Sequence, residues 1–132
     1  LILALLLPLF DNTDDLTVIV SGCKSKNGQL FIALYDDKDV FPVFGEQLIG
    51  EIVPLSKNSR QEFTFKRLTH RTYAIAVFHD LNSNGRLDKN ALGLPIEPYG
   101  FSNNVRGTFS APSFSQASFL HGKEQSISIA VK

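Results

Sequence analysis

Residues 73–80 read YAIAVFHD and run directly into LNSNGRLD, residues 81–88. Tyr73, Ile75 and Val77 alternate with Ala74, Ala76 and Phe78, the two-residue period of a β-strand. The end of this strand delivers His79 and Asp80 into a segment with side-chain oxygens at every second position, Asp80, Asn82 and Asn84. Gly85, Leu87 and a second carboxylate, Asp88, follow.

Outward from this strand the chain keeps the same grammar. Leu16, Val18 and Val20 alternate with Thr17, Ile19 and Ser21, and residues 30–35 (LFIALY) form a second apolar run of strand length. Lys26-Asn27-Gly28-Gln29 stands between them, and Asn-Gly is a strong hairpin signal because both residues tolerate positive φ. The two strands are therefore expected to be antiparallel neighbours. Residues 36–45 (DDKDVFPVFG) read as a surface loop with anchoring aromatics. Further strands are expected at about residues 47–54 and 60–68, the latter with Phe63, Phe65 and Arg67 on one face. Two more are expected at 117–121 and 126–131, joined by Gly122-Lys123-Glu124. One helical turn is expected at 113–116, where Ser113 and Gln116 have capping-box spacing. The sum is an all-β fold, an antiparallel β-sandwich of about seven strands with a long ordered loop over residues 80–116. A connection of that length inside a compact domain is functional or held in place by something.

Composition fits one folded domain. Of 132 residues, 43% are hydrophobic, so intrinsic disorder is excluded. Thirteen basic residues balance thirteen acidic ones, and with no basic run nucleic acid is not an expected partner. Residues 1–10 (LILALLLPLF) are almost wholly apolar. They are too short for a bilayer span, which needs about 20 residues, but suit the h-region of a secretory signal peptide. Residues 1–15 are read as a signal-peptide remnant and polar linker, and 16–132 as the sandwich. The protein is then exported, periplasmic or secreted, with no stable membrane span in the mature chain. Cys23 is the single cysteine, read as a buried structural thiol; a lipid-modified cysteine is disfavoured because it does not directly follow the apolar run.

The run from Tyr73 to Phe119 contains YAIAVFHDLNSNGRLDKNALGLPIEPYGFSNN and APSFSQASF. It closely resembles the bacterial domain-of-unknown-function family numbered 2141. The family's pattern falls here on His79, Asp80, Asn82, Asn84, Gly85, Leu87, Asp88, Gly93, Pro95, Glu97, Tyr99, Gly100, Phe101, Ser102, Asn103, Pro112, Phe114 and Ala117. Arg71 stands where related domains carry glycine, and Ser110-Ala111-Pro112 replaces Gly-Pro-Pro. The resemblance implies a transthyretin-like or immunoglobulin-like sandwich and export, and no particular activity.

The oxygen-rich loop suggests a hard cation. On the twelve-residue calcium-loop template the ligands are Asp80, Asn82, Asn84, the Arg86 carbonyl and Asp88. Position twelve is Ala91, so the bidentate acid is missing, and Glu97 is the candidate to replace it. The cofactor expected is structural calcium, bound weakly at about 0.1–1 mM, with no organic cofactor. The alternative is that the same residues make metal-free Asx turns. A hydrolase using His79 with Asp80 or Glu97 needs those groups to converge in a pocket, yet adjacent strand residues point to opposite faces. His70, His79 and His121 lack zinc-ligand spacing and are read as unrelated. The function expected is a non-catalytic binding or structural module for an envelope, glycan or peptide ligand. The alternative is a hydrolase of unknown substrate. Tyr99, Phe101, Phe109, Phe114 and Phe119 are expected mainly to anchor the long loop.

Overall fold

The computed structural model describes residues 11–56, 60–89, 95–107 and 110–132, and the apolar segment 1–10 lies outside these. Among the described residues eight strands form two packed sheets: β1 (Thr13–Ser21), β2 (Gln29–Tyr35), β3 (Ile49–Pro54), β4 (Gln61–Thr69), β5 (Arg71–Asp80), β6 (Tyr99–Phe101), β7 (Phe119–His121) and β8 (Gln125–Ala130). The first sheet has the order β4-β1-β8. In the second, β3, β2, β5 and β6 follow one another, and β7 also pairs with β5. The all-β sandwich is thus as the sequence predicts.

The inter-sheet core takes alternate residues from each strand, among them Leu16, Val18 and Val20 of β1, Leu30, Ile32 and Leu34 of β2, and Tyr73, Ile75 and Val77 of β5. Each such side chain, once buried, contributes about 1.5–3 kcal/mol of transfer free energy. The opposite face of β5 is also buried. Its small residues Ala74 and Ala76 leave room for a second cluster that includes Tyr35, Phe41 and Phe101. A strand covered on both faces carries a continuous apolar run, which is what residues 73–78 show.

Four expectations are corrected. β1 and β2 are not antiparallel neighbours: β1 has β4 on one edge and β8 on the other, while β2 pairs with β3 and β5. The Asn27-Gly28 signal marks a turn but does not dictate which sheet the chain enters next; here the turn carries it across the core. β1 and β8 run parallel, so the sandwich is antiparallel-rich and not wholly antiparallel. Arg67 does not share a face with Phe63 and Phe65. The register slips between Asp14 and Leu16, so Lys66 and Arg67 together oppose Asp15. Arg67 has φ 51°, and the bulge turns Leu68 into the core instead. Asp15 fixes the bulge by accepting the Arg67 N–H at 3.0 Å and the Lys66 ammonium at 3.1 Å. Finally, Ala117 ends a helical turn, α1 (Phe114–Ala117), and only Phe119–His121 are strand. The expected Ser113–Gln116 capping box is present and defines that turn.

Two connections position the loop after β5. Ser102 accepts the Ile75 N–H at 2.9 Å and donates to the Ala117 carbonyl at 2.5 Å, pinning the excursion between β6 and β7 to the edge of β5. Tyr99 exchanges backbone hydrogen bonds of 3.2 and 3.0 Å with Lys132, which joins the two sheets along that flank.

Candidate functional site

β5 ends in Asp80, and Asp80 is wholly buried. Its Oδ1 accepts the Asn84 N–H at 3.2 Å. Its Oδ2 accepts the Gly85 N–H at 2.7 Å and the Gln29 side-chain amide at 3.2 Å. The chain therefore folds back on its own carboxylate within five residues, and Gly85, at φ +75°, supplies the left-handed turn this needs. Within the turn Asn82 Oδ1 accepts from Asn84 N and Asn84 Oδ1 from Arg86 N, a pair of Asx turns.

Glu97 closes the loop from the far side. It is 5% exposed; its Oε2 accepts the Leu81 N–H at 2.7 Å and its Oε1 the Asp88 N–H at 2.8 Å. Ile96 N donates to the Asp88 carbonyl and Lys89 bridges to Pro95, so the two sides of the loop are stitched together. A buried carboxylate is tolerated only with such donors. Asp88 itself is half-buried and receives the Asn82 amide at 2.7 Å and the Asn84 amide at 2.9 and 3.1 Å. The Asn84 and Asn82 donors, helped by the charge of Arg86, hold its carboxyl below the usual range.

The six expected residues thus meet in one place. Asp80, Asn82, Asn84 and Asp88 form the turn, Glu97 braces it, and Arg86 contributes its backbone N–H and its charge. Ala91 and Gly93 lie outside the described residues. Among the described residues no three His, Cys, Asp or Glu side chains form a metal-holding group, and with both Asp80 oxygens facing N–H groups a cation here would rest chiefly on Asp88 with amide and backbone oxygens. Those donors are the right chemical type for calcium. The two amide nitrogens now face Asp88, and each Asn side chain would have to rotate its amide to present oxygen instead. Oxygen and nitrogen are interchangeable by that rotation.

His79 does not meet these carboxylates. It is fully buried on the core face of β5, with Nε2 at 2.7 Å from the Asn27 carbonyl and Nδ1 without a hydrogen-bond partner. Asp80 is on the other face, as alternation requires. The Asn27-Gly28 turn thus packs on the end of β5, and a Cβ on Gly28 would lie 2.0 Å from the Asp80 carbonyl. Gln29 and Asn27 are site residues that spacing alone does not reveal; they come from a turn some fifty positions away.

The remaining features are of other kinds. A cleft of about 580 Å³ opens between the edges of β3 and β4, lined in part by Leu48, Glu51, Phe63, Arg67 and Tyr73, and no loop residue reaches it. Phe101 and Phe114 anchor the long connection through edge-on contacts with Phe41 at 5.9 and 6.0 Å, and Arg106 covers Tyr99 at 4.3 Å; Phe109 lies outside the described residues. Cys23 is half-buried against the core, and burial pushes its thiol up. No helix among the described residues is long and apolar enough to cross a membrane. His70 and His121, read as unrelated, stand with ring centroids 5.7 Å apart at the opposite end of β5.

A family model described as "Uncharacterized protein conserved in bacteria (DUF2141)" matches residues 18–128. The chain belongs to this family. In DUF2141 terms, the His-Asp-x-Asn-x-Asn-Gly-x-Leu-Asp segment and the later Glu97 are one hydrogen-bonded unit, two parts of a loop that meet through backbone N–H groups. No curated protein and no solved structure matches this DUF2141 chain.

Proposed function

We propose that this DUF2141 domain is an exported, non-catalytic binding or structural module in which the turn 80–89, braced by Glu97, is a fixture that a weakly held calcium ion stabilises. The observation that carries the reading is the use made of the two buried carboxylates. Both oxygens of Asp80 and both of Glu97 are bound by N–H donors, four of these from the loop's own backbone. A general base or nucleophile needs a free lone pair facing a substrate. These groups spend theirs on holding the loop.

Calcium enters as a stabiliser. Asn82 and Asn84 place two amide donors on Asp88, neutral substitutes for a cation at that carboxylate. Rotating them costs the hydrogen bonds Asn82 and Asn84 make to backbone N–H groups, which supports weak binding. The apolar segment 1–10 supports export. The ligand class proposed is an envelope, glycan or peptide surface.

Calorimetric melting in calcium against chelator tests the ion. At ten times the dissociation constant the gain is about 1.4 kcal/mol, or roughly 5 °C for a domain of this size. Asp88→Ala should lose the response. An unmoved wild-type midpoint in millimolar calcium, or a response that survives Asp88→Ala, overturns the calcium reading. Cell fractionation of the chain behind its own N-terminal segment tests export, and recovery in the cytosol refutes it.

A further inference from the structure

The end of β5 away from the oxygen-rich loop carries a second polar cluster, assembled from three distant parts of the chain. His70, in the turn between β4 and β5, places Nε2 at 2.7 Å from Asp14 Oδ2 on β1, and its backbone N–H donates to the Asn12 carbonyl at 2.8 Å. His121, at the end of β7, is wholly buried. Its Nε2 stands 3.1 Å from the Asp14 carbonyl and its Nδ1 3.0 Å from Gln125 Oε1 on β8.

Both nitrogens of His121 therefore face oxygen. A neutral imidazole has one N–H and one lone pair, and only the imidazolium donates from both nitrogens. The Asp14 carbonyl is fixed by the backbone and can only accept, so Nε2 carries a proton in every state. Gln125 is different, because its side chain can turn and offer NH₂ in place of oxygen. Two arrangements satisfy every atom: imidazolium with Gln125 oxygen inward, the amide orientation found here, or neutral Nε2–H imidazole with Gln125 nitrogen inward.

We infer that Asp14, His70, His121 and Gln125 form a proton-operated latch that grips the start of β1 more firmly in acid than above neutrality. Protonated His70 pairs with Asp14 as an ion pair; neutral His70 keeps only a hydrogen bond. Protonated His121 ties β1 to β8 through two charge-assisted bonds, which are stronger than neutral ones. The neighbours set the balance. Asp14 favours both charges and Asp11 also interacts with His70. Arg71, paired with His121 in register on β5, opposes them, as does each imidazolium toward the other at 5.7 Å. Arg71 is itself paired with Asp36, Tyr73 packs its ring 6.2 Å from His121, and Lys123 and Glu124 carry opposite charges on the adjoining turn. Histidine is the side chain whose charge changes between pH 5 and 8.

Ring-nitrogen NMR of the intact chain from pH 5 to 8 tests the latch. At pH 5 both His121 nitrogens should carry protons. By pH 8 Nδ1 should have lost its proton and the Gln125 amide signals should have shifted. Over the same range the hydrogen-exchange protection of the His70 amide, which reports its bond to Asn12, should fall. Gln125→Glu should hold the second proton to higher pH by about one unit or more. A single neutral tautomer of His121 across the whole range overturns the inference. So does a Gln125→Glu variant that folds but leaves the pH of proton loss unmoved.

Discussion

The two ends of β5 solve the same problem with opposite chemistry. At Asp80 the buried groups are anions, Asp80 and Glu97, and their partners are N–H groups of one contiguous loop. At Arg71 the groups are imidazoles, and their partners are a carboxylate, a backbone carbonyl and an amide from β1 and β8. The first end is locked by local geometry. The second is joined by long-range contacts between separate strands. A strand of ten residues, roughly 33 Å long, thus separates a fixed end from an adjustable one.

Asp80→Ala should produce the largest effect. It strands the N–H groups of Asn84 and Gly85 and the Gln29 amide, at a cost of about 4 kcal/mol, read from the urea midpoint. A loss below about 1 kcal/mol would mean that the end is not locked as described. Gly28→Ala comes next, at about 3 kcal/mol, because φ is +80° and the added methyl meets the Asp80 carbonyl. Glu97→Gln keeps one acceptor and turns an NH₂ toward an N–H, so about 2 kcal/mol should be lost, with faster exchange at the Leu81 or Asp88 amide. At the other end His70→Gln should cost only about 1 kcal/mol near neutral pH, and its penalty should grow as the pH falls toward 5. If the two ends respond alike to pH between 5 and 8, the contrast fails.

The smallest effect concerns Asp88. Its carboxyl is held below the usual value of 3.8, chiefly by the Asn84 amide. A group with a depressed folded value stabilises at pH above its unfolded value, and that contribution disappears as pH falls through the folded one. Asp88→Asn should therefore shift the melting midpoint slightly at pH 7, and that difference should fade as the pH falls through the folded value, below 3.8. Asp88 titrating at or above 3.8 by carbon NMR would contradict the Asn82 and Asn84 contacts.

What was legible in the sequence followed the same division. The strands of β5, β2 and β8 announce themselves because their period is two and their residues are apolar. The Asp80–Asp88 turn is legible because its donors and acceptors lie within nine positions, and the link to Glu97 because the family pattern carries both. The bulge at Arg67 is not: periodicity predicts that Arg67 follows Phe65 inward, and only the Asp15 side chain on another strand reveals the slip. Nor is the pairing of β1, since an Asn-Gly turn shows where a chain reverses and not which edge it meets. Residues 14, 70, 121 and 125 carry no common motif, so two of the three histidines, read one by one, conceal a cluster.

The parallel pairing of β1 with β8 has a consequence for how the molecule is made. β1 is the first strand described and the centre of its sheet, yet its neighbours are β4 and the last strand, with Leu16 opposite Gln125 and Ser21 opposite Ala130. During synthesis Val18 and Val20 must wait, with one edge unpaired, until residues 125–130 have been made. Contacts of such wide separation slow folding and lengthen the exposure of apolar edges. This domain should therefore acquire its first sheet only once β8 has emerged, in one late cooperative step, and fragments ending before residue 125 should aggregate rather than rest as partly folded intermediates.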